Sequence, residues 1–150
     1  MNITRMCTII ATLGPVGYFG ASGTVATILA LPLVYLLRAK FPSPHMYIVA
    51  AICLYFLSVV IVKKALHHIK RHNDPSEIVI DEVVGCILVF WGIPLIAKSI
   101  VVGWLIFRTL DIIKFGWVKR AESWANAWGV MGDDMVAALI TNAILRLLFN

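Results

Sequence analysis

Acidic residues are scarce in this chain, and six of its eight fall in three small groups: Glu77 with Asp81-Glu82, Asp111, and Asp133-Asp134. Asp81 and Glu82 lie between Ile78-Val79-Ile80 and Val83-Val84. Carboxylates in or beside bilayer-length apolar helices are costly, so their presence is informative. If a helix starts at Asp74-Pro75, Glu77 and Asp81 share a face and Glu82 lies about 100° further round. Like charges at that spacing repel. Something positive must offset them: a metal ion, or Arg108 and Lys114. Oxygen ligands without His or Cys favour a hard cation, Mg2+ or similar. Such an ion beside a bilayer suits phosphate chemistry, as Lewis acid and water activator. The plainer alternative makes Asp81 and Glu82 exposed first-turn carboxylates favoured by the helix dipole. Likewise, one of Asp133 and Asp134 is a natural N-cap for the last helix.

Arg108, Asp111 and Lys114 follow at three-residue steps, so successive members are neighbours on a helix. Asp111 can orient either cation and leave one or both to hold a phosphate, which Arg does bidentately. A solvated ion-pair ladder is the competing account. Gly20-Ala21-Ser22-Gly23-Thr24 opens a helix and can offer backbone N–H groups to an anion. It lacks the Lys of a P-loop. His67, His68 and His72 have metal-compatible spacing, but a solvated, membrane-proximal basic face is the better account of them. Ser22, Ser76, Ser99 and Ser123 show no Ser-His-Asp arrangement. Trp117, Trp124 and Trp128 fit an interfacial belt.

These residues need helices to position them. Strand signals are weak, and the reading is an all-α compact bundle of one domain over residues 1–150, embedded in or docked on a membrane. Residues 6–37 carry no charge. Glycines through Gly23 predict an irregular loop there, then a helix over 25–37, capped by Ser22 or Thr24 and bent at Pro32. Arg5 with residues 7–13 mimics a signal peptide, but a Gly-rich stretch stands where a cleavage site belongs. Phe41-Pro42-Ser43-Pro44 is a turn. Residues 46–62 are 17 uncharged positions, about 26 Å of helix and near the minimum for a span. Lys63, Lys64, Lys70 and Arg71 then read as a cytoplasmic flank. Asp74 as N-cap, Pro75 and Glu77 predict a helix start running to Trp91. The runs 83–97 and 99–107, divided by Lys98, are short for spans, and one to four spans are expected. A final helix covers 135–149.

Composition agrees: 61% of the residues are apolar and 14% charged, which excludes a disordered tail. The net charge of +5 comes from short clusters between apolar runs, not from one face, so a nucleic-acid partner is not expected. Cys7, Cys53 and Cys86 are far apart in apolar stretches and predict buried reduced thiols.

Taken in order, four blocks resemble the phosphatidylglycerophosphatase A family: Gly23-Thr24-Val25-Ala26-Thr27 with Ala30-Leu31-Pro32; Asp74 to Gly85 through Glu77, Asp81 and Glu82; Phe107-Arg108 with Asp111 and Lys114; and Gly129-Val130-Met131 with Asp133, Asp134 and Ala137. The resemblance implies a Mg2+-dependent phosphatase that removes the terminal phosphate of phosphatidylglycerophosphate. It places the enzyme in a bacterial inner membrane, acting on the cytoplasmic side. It gives the metal and catalytic roles to Asp81, Glu82, Asp133 and Asp134, with Asp111 in support. Arg108, Lys114, Gly23, Thr24 and Thr27 inherit substrate binding. Departures are Phe115-Gly116-Trp117-Val118 in place of Pro-x-Pro, Ser22 in place of Pro, Ala138 in place of Gly, and a thinned Gly-rich turn at Asn126-Ala127-Trp128. None removes a carboxylate. The alternatives from other classes are a small membrane transport or scaffold protein that uses buried carboxylates, and an inactive relative. A phosphatase requires the acids to converge with Arg108 at one membrane face.

Overall fold

A computed structural model describes residues 2–67, 69 and 75–149. Among them are seven helices and no strand, as the all-α reading expects. They are α1 (Ile3–Ala11), α2 (Ser22–Lys40), α3 (Pro44–Leu66), α4 (Ile80–Val89), α5 (Ala97–Ile113), α6 (Trp117–Glu122) and α7 (Ala127–Phe149).

The centre of the bundle is α4. It packs against α2, α3, α5 and α7. Val83, Val84, Cys86, Ile87, Leu88 and Val89 are all buried, because a helix enclosed by neighbours needs apolar residues on every side. Only ten residues long, it exposes its last carbonyls inside the protein. Three polar side chains from its neighbours answer them. Arg38 Nη2 donates to the carbonyls of Phe90 (3.0 Å) and Ile93 (2.6 Å). Asn142 Nδ2 donates to Val89 and Trp91, both at 2.8 Å, and Arg146 Nη2 to Trp91 at 2.9 Å.

Two helices are long and apolar enough to cross a membrane, α2 and α3. The second was expected; α2 joins it because Pro32 is accommodated within its 19 residues and the helix runs on to Lys40. A soluble core helix is mostly buried, whereas only 33% of the α3 window is buried. Val49, Phe56 and Val60 on its outer side are exposed, as is Cys53. Of the three expected buried thiols, Cys86 alone is buried, and burial pushes it up to about 12.

Several expected boundaries move. The opening residues form α1, packed on α3. Neither Ser22 nor Thr24 caps α2: Ala21 takes the cap position without a side-chain bond, and Ser22 Oγ donates to the Ser76 carbonyl. Asp74, Lys70, Arg71, His68 and His72 lie outside the described residues. The helix expected from Asp74 instead begins at Ile80. Pro75 accepts a turn bond from Ile78 N, and the Val79 N–H is taken by the Ala11 carbonyl at the end of α1. Asp81 and Glu82 therefore sit in the first turn of α4, where its dipole favours negative charge, not two turns in. Lys98 divides nothing; it lies in the first turn of α5. The last helix starts at Ala127, so Asp133 and Asp134 lie within it and cap nothing. Gly129 makes that extension possible: a Cβ there would fall 2.5 Å from the Trp124 carbonyl oxygen.

Candidate active site

The chain order brings four helices together. α2 and α4 start where α5 finishes, and α7 passes the same place about two turns after its start. Between them lies a cleft of about 290 Å3. Asp81 and Glu82 enter it from α4, Arg108, Asp111 and Lys114 from the end of α5, and Asp133 and Asp134 from α7. The first turn of α2, with Gly20, Ala21, Ser22 and Gly23, forms the facing wall.

Five carboxylates thus meet two cations, and the ion pairs are specific. Arg108 Nη1 donates to Glu82 Oε1 (3.0 Å) and to Asp111 Oδ2 (2.7 Å). Lys114 Nζ donates to Asp133 Oδ2 at 2.8 Å and to Glu122 Oε1 at 2.9 Å. Asp81 Oδ1 and Asp133 Oδ1 each accept the N–H of the next residue at 2.9 Å, which fixes both side chains against their own helices. Asp134 is different. It is 2% exposed, and neither of its oxygens meets a hydrogen-bond donor among the described residues. Burial first, then the charges of Asp111 and Asp81, holds its carboxyl well above the usual carboxylate range.

Close approach at α2 is made possible by Gly23. A Cβ there would lie 1.7 Å from Glu82 Oε1 and 2.7 Å from Arg108 Nη2. The guanidinium and the first N–H groups of α2 therefore address the same space, a setting that suits a phosphate.

Lys114 carries a backbone signature as well. It ends α5 in the left-handed region, at φ 48° and ψ 55°, a conformation that costs a non-glycine residue about 1 kcal/mol or more. That turn aims its amine inward at Asp133.

Most of the residues singled out from sequence are brought together. Thr24 and Thr27 are not among those lining the cleft. The hydroxyl of Thr27 is committed to the Gly23 carbonyl (2.9 Å) and to Trp104 Nε1 (3.0 Å), which places it beneath the wall as a support. Glu77 stands before α4 in a turn and shares no helix face with Asp81. Ser99 bonds the carbonyls of Pro94 and Ile96 at the start of α5, far along the chain from the cleft. Sequence reasoning missed Glu122. It lies eight residues beyond Lys114, across a turn, and no helical or strand periodicity links the two.

Oxygen-only donors, with the buried Asp134 carboxyl crowded by Asp111 and Asp81, fit a hard divalent cation. As the side chains stand, no three acidic, His or Cys groups among the described residues form a ready coordination set. The donor chemistry fits; the coordination shell is not preformed.

Comparison with known proteins adds the following. Residues 9–149 match the family described as phosphatidylglycerophosphatase A. A Bacteroides thetaiotaomicron protein provisionally named a phosphatidylinositol-3-phosphatase is 35% identical over 75 residues. That stretch is 45% of this chain and 44% of the relative, so less than half of the relative's length is spanned. No solved structure matches.

Proposed function

The chain belongs to the phosphatidylglycerophosphatase A family, and we propose that it hydrolyses the terminal phosphate of phosphatidylglycerophosphate with the aid of Mg2+. One observation carries the reading: acids from three helices converge with Arg108 and Lys114 against the first turn of α2. A transporter's acids line an ion path; these converge with Arg108 and Lys114 around one cleft.

A phosphomonoester is a dianion, and the cleft already holds more carboxylates than cations. Without an accompanying cation the substrate is repelled. Asp81 and Asp134, with Glu82 and Asp133 beside them, would hold Mg2+. When bound, the ion supplies Lewis-acid activation of the phosphoryl group. Arg108 grips phosphate oxygens from the α5 side while Glu82 and Asp111 fix its plane. Lys114 offsets charge that builds as the ester bond breaks. The acids serve either as base toward water or as an aspartyl nucleophile. Both routes end in phosphatidylglycerol and orthophosphate.

The positive flank of α3 supports a cytoplasmic placement in a bacterial inner membrane. Lys63, Leu66 and His67, at that flank, share a small cavity with Asn126, just before α7.

The test is phosphate release by the purified protein, with Mg2+ and with EDTA. Phosphatidylglycerophosphate and phosphatidylinositol-3-phosphate are offered side by side, since the name of the relative favours the second. Mg2+-dependent release, fastest on phosphatidylglycerophosphate and lost in Asp81→Ala and Asp133→Ala, is expected. No release from any lipid phosphomonoester would refute the reading.

A further inference from the structure

The rim of the cleft carries an apolar projection that the chemistry leaves unused. Where α5 turns into α6, Ile112 is 70% exposed, Ile113 65%, Phe115 77% and Trp117 70%. Large apolar side chains at such exposure, side by side, mark a surface that something covers. Ile112 also lines the cleft, so the projection is continuous with it. Lys114, in the middle of the segment, turns the other way, toward Asp133. One short stretch thus has a catalytic inner side and an apolar outer side.

Its charge narrows the identity of the cover. From 112 to 121 there is no acidic residue, while Lys119 and Arg120 are exposed. The Arg120 guanidinium stacks over the Trp117 ring, 5.3 Å from its centroid. An aromatic ring with a cation on its face suits a phospholipid headgroup boundary: the ring sits among glycerol esters and the cation meets phosphates.

We propose that residues 112–120 form an interfacial anchor, Ile113, Phe115 and Trp117 entering an anionic phospholipid leaflet and Lys119 and Arg120 binding its phosphates. The anchor holds the mouth of the cleft at headgroup height, so that a lipid phosphate reaches Arg108 without leaving the membrane. It occupies the stretch where this chain departs from the Pro-x-Pro of the family it resembles.

The experiment places the full chain in nanodiscs of anionic phospholipid brominated at shallow acyl positions. The difference in fluorescence between wild type and Trp117→Phe isolates Trp117. Strong quenching by shallow bromines with little quenching by aqueous iodide is expected. The reverse pattern overturns the proposal. So does shielding from both quenchers that depends on protein concentration, which would assign the surface to a second copy of the chain. This arm is independent of activity. A second arm rests on the phosphatase reading. Phe115→Ser with Trp117→Ser should raise KM for bilayer-held substrate at least about tenfold. It should leave hydrolysis of a short-chain, water-soluble form of the same phosphomonoester unchanged. Equal loss on both substrates overturns the anchor; inactivity of the wild type on both, with Trp117 quenched by lipid, overturns only the phosphatase reading.

Discussion

Replacing Gly23 with Ala separates the site's chemistry from its stability. In an ordinary helix the change stabilises by about 0.5–1 kcal/mol. Here the new methyl would stand 1.7 Å from Glu82 Oε1, 2.5 Å from Glu82 Cδ and 2.7 Å from Arg108 Nη2. All three atoms are far ends of long side chains, so they move and the helix does not. The cost to folding is the weakened Glu82–Arg108 pair, which is only partly buried, offset by the gain in helix propensity. The net change should stay within about 1–2 kcal/mol. The cost to catalysis is larger, because the displaced guanidinium leaves the first turn of α2. Loss of one preorganised charge-stabilising donor lowers kcat by roughly 100- to 1,000-fold. Thermal melting and Mg2+-dependent phosphate release on the same preparation give both quantities. Activity close to wild type would refute the idea that Arg108 and this turn share one phosphate. Collapse of the fold would refute the claim that the clash is relieved by side chains.

Three further outcomes follow from the same geometry. Asp134 keeps its proton in the folded state at pH values where the unfolded chain, above about pH 4, has released it. In EDTA its contribution to stability is therefore greatest below that pH and drains away as pH rises through the raised folded value; melting temperature against pH should flatten in Asp134→Asn, while that variant loses activity. Glu122→Gln frees one side of Lys114; because Glu122 is 38% exposed the stability loss should be under about 1 kcal/mol, yet phosphate release should fall several-fold. Arg146→Ala removes a bond to the Trp91 carbonyl, one to Asn142, and a stack 4.6 Å over the Trp91 ring; denaturant unfolding should report a loss of about 2–3 kcal/mol, with the residual folded enzyme retaining its KM.

The long helices and the apolar length of α3 were legible because hydropathy and turn residues are local signals; α1, in a stretch read as irregular loop, was not. The acidic groups were legible too, since carboxylates in so apolar a chain need a reason. The boundaries at Ile80 and Ala127 were not. The first depends on a tertiary contact, the Ala11 carbonyl taking the Val79 N–H; the second on a turn in which the Trp124 carbonyl passes Gly129 closely. The cap signal at Asp133-Asp134 was local and misleading, since α7 already runs through both. The family resemblance implies a phosphate-binding role for Thr27, but a helical hydroxyl four residues after Gly23 bonds back to that carbonyl. The tie between Glu122 and Lys114 crosses a turn whose shape is set by the left-handed Lys114 itself, which sequence spacing does not encode.

The guanidiniums of Arg38 and Arg146, with Asn142, plug the blunt terminus of α4. A half-length central rod stopped in this way leaves its acidic start, Asp81 and Glu82, to face the cleft. Under the phosphatase reading proposed above, headgroup and liberated orthophosphate share that one cleft, and turnover is coupled to whichever compartment it faces.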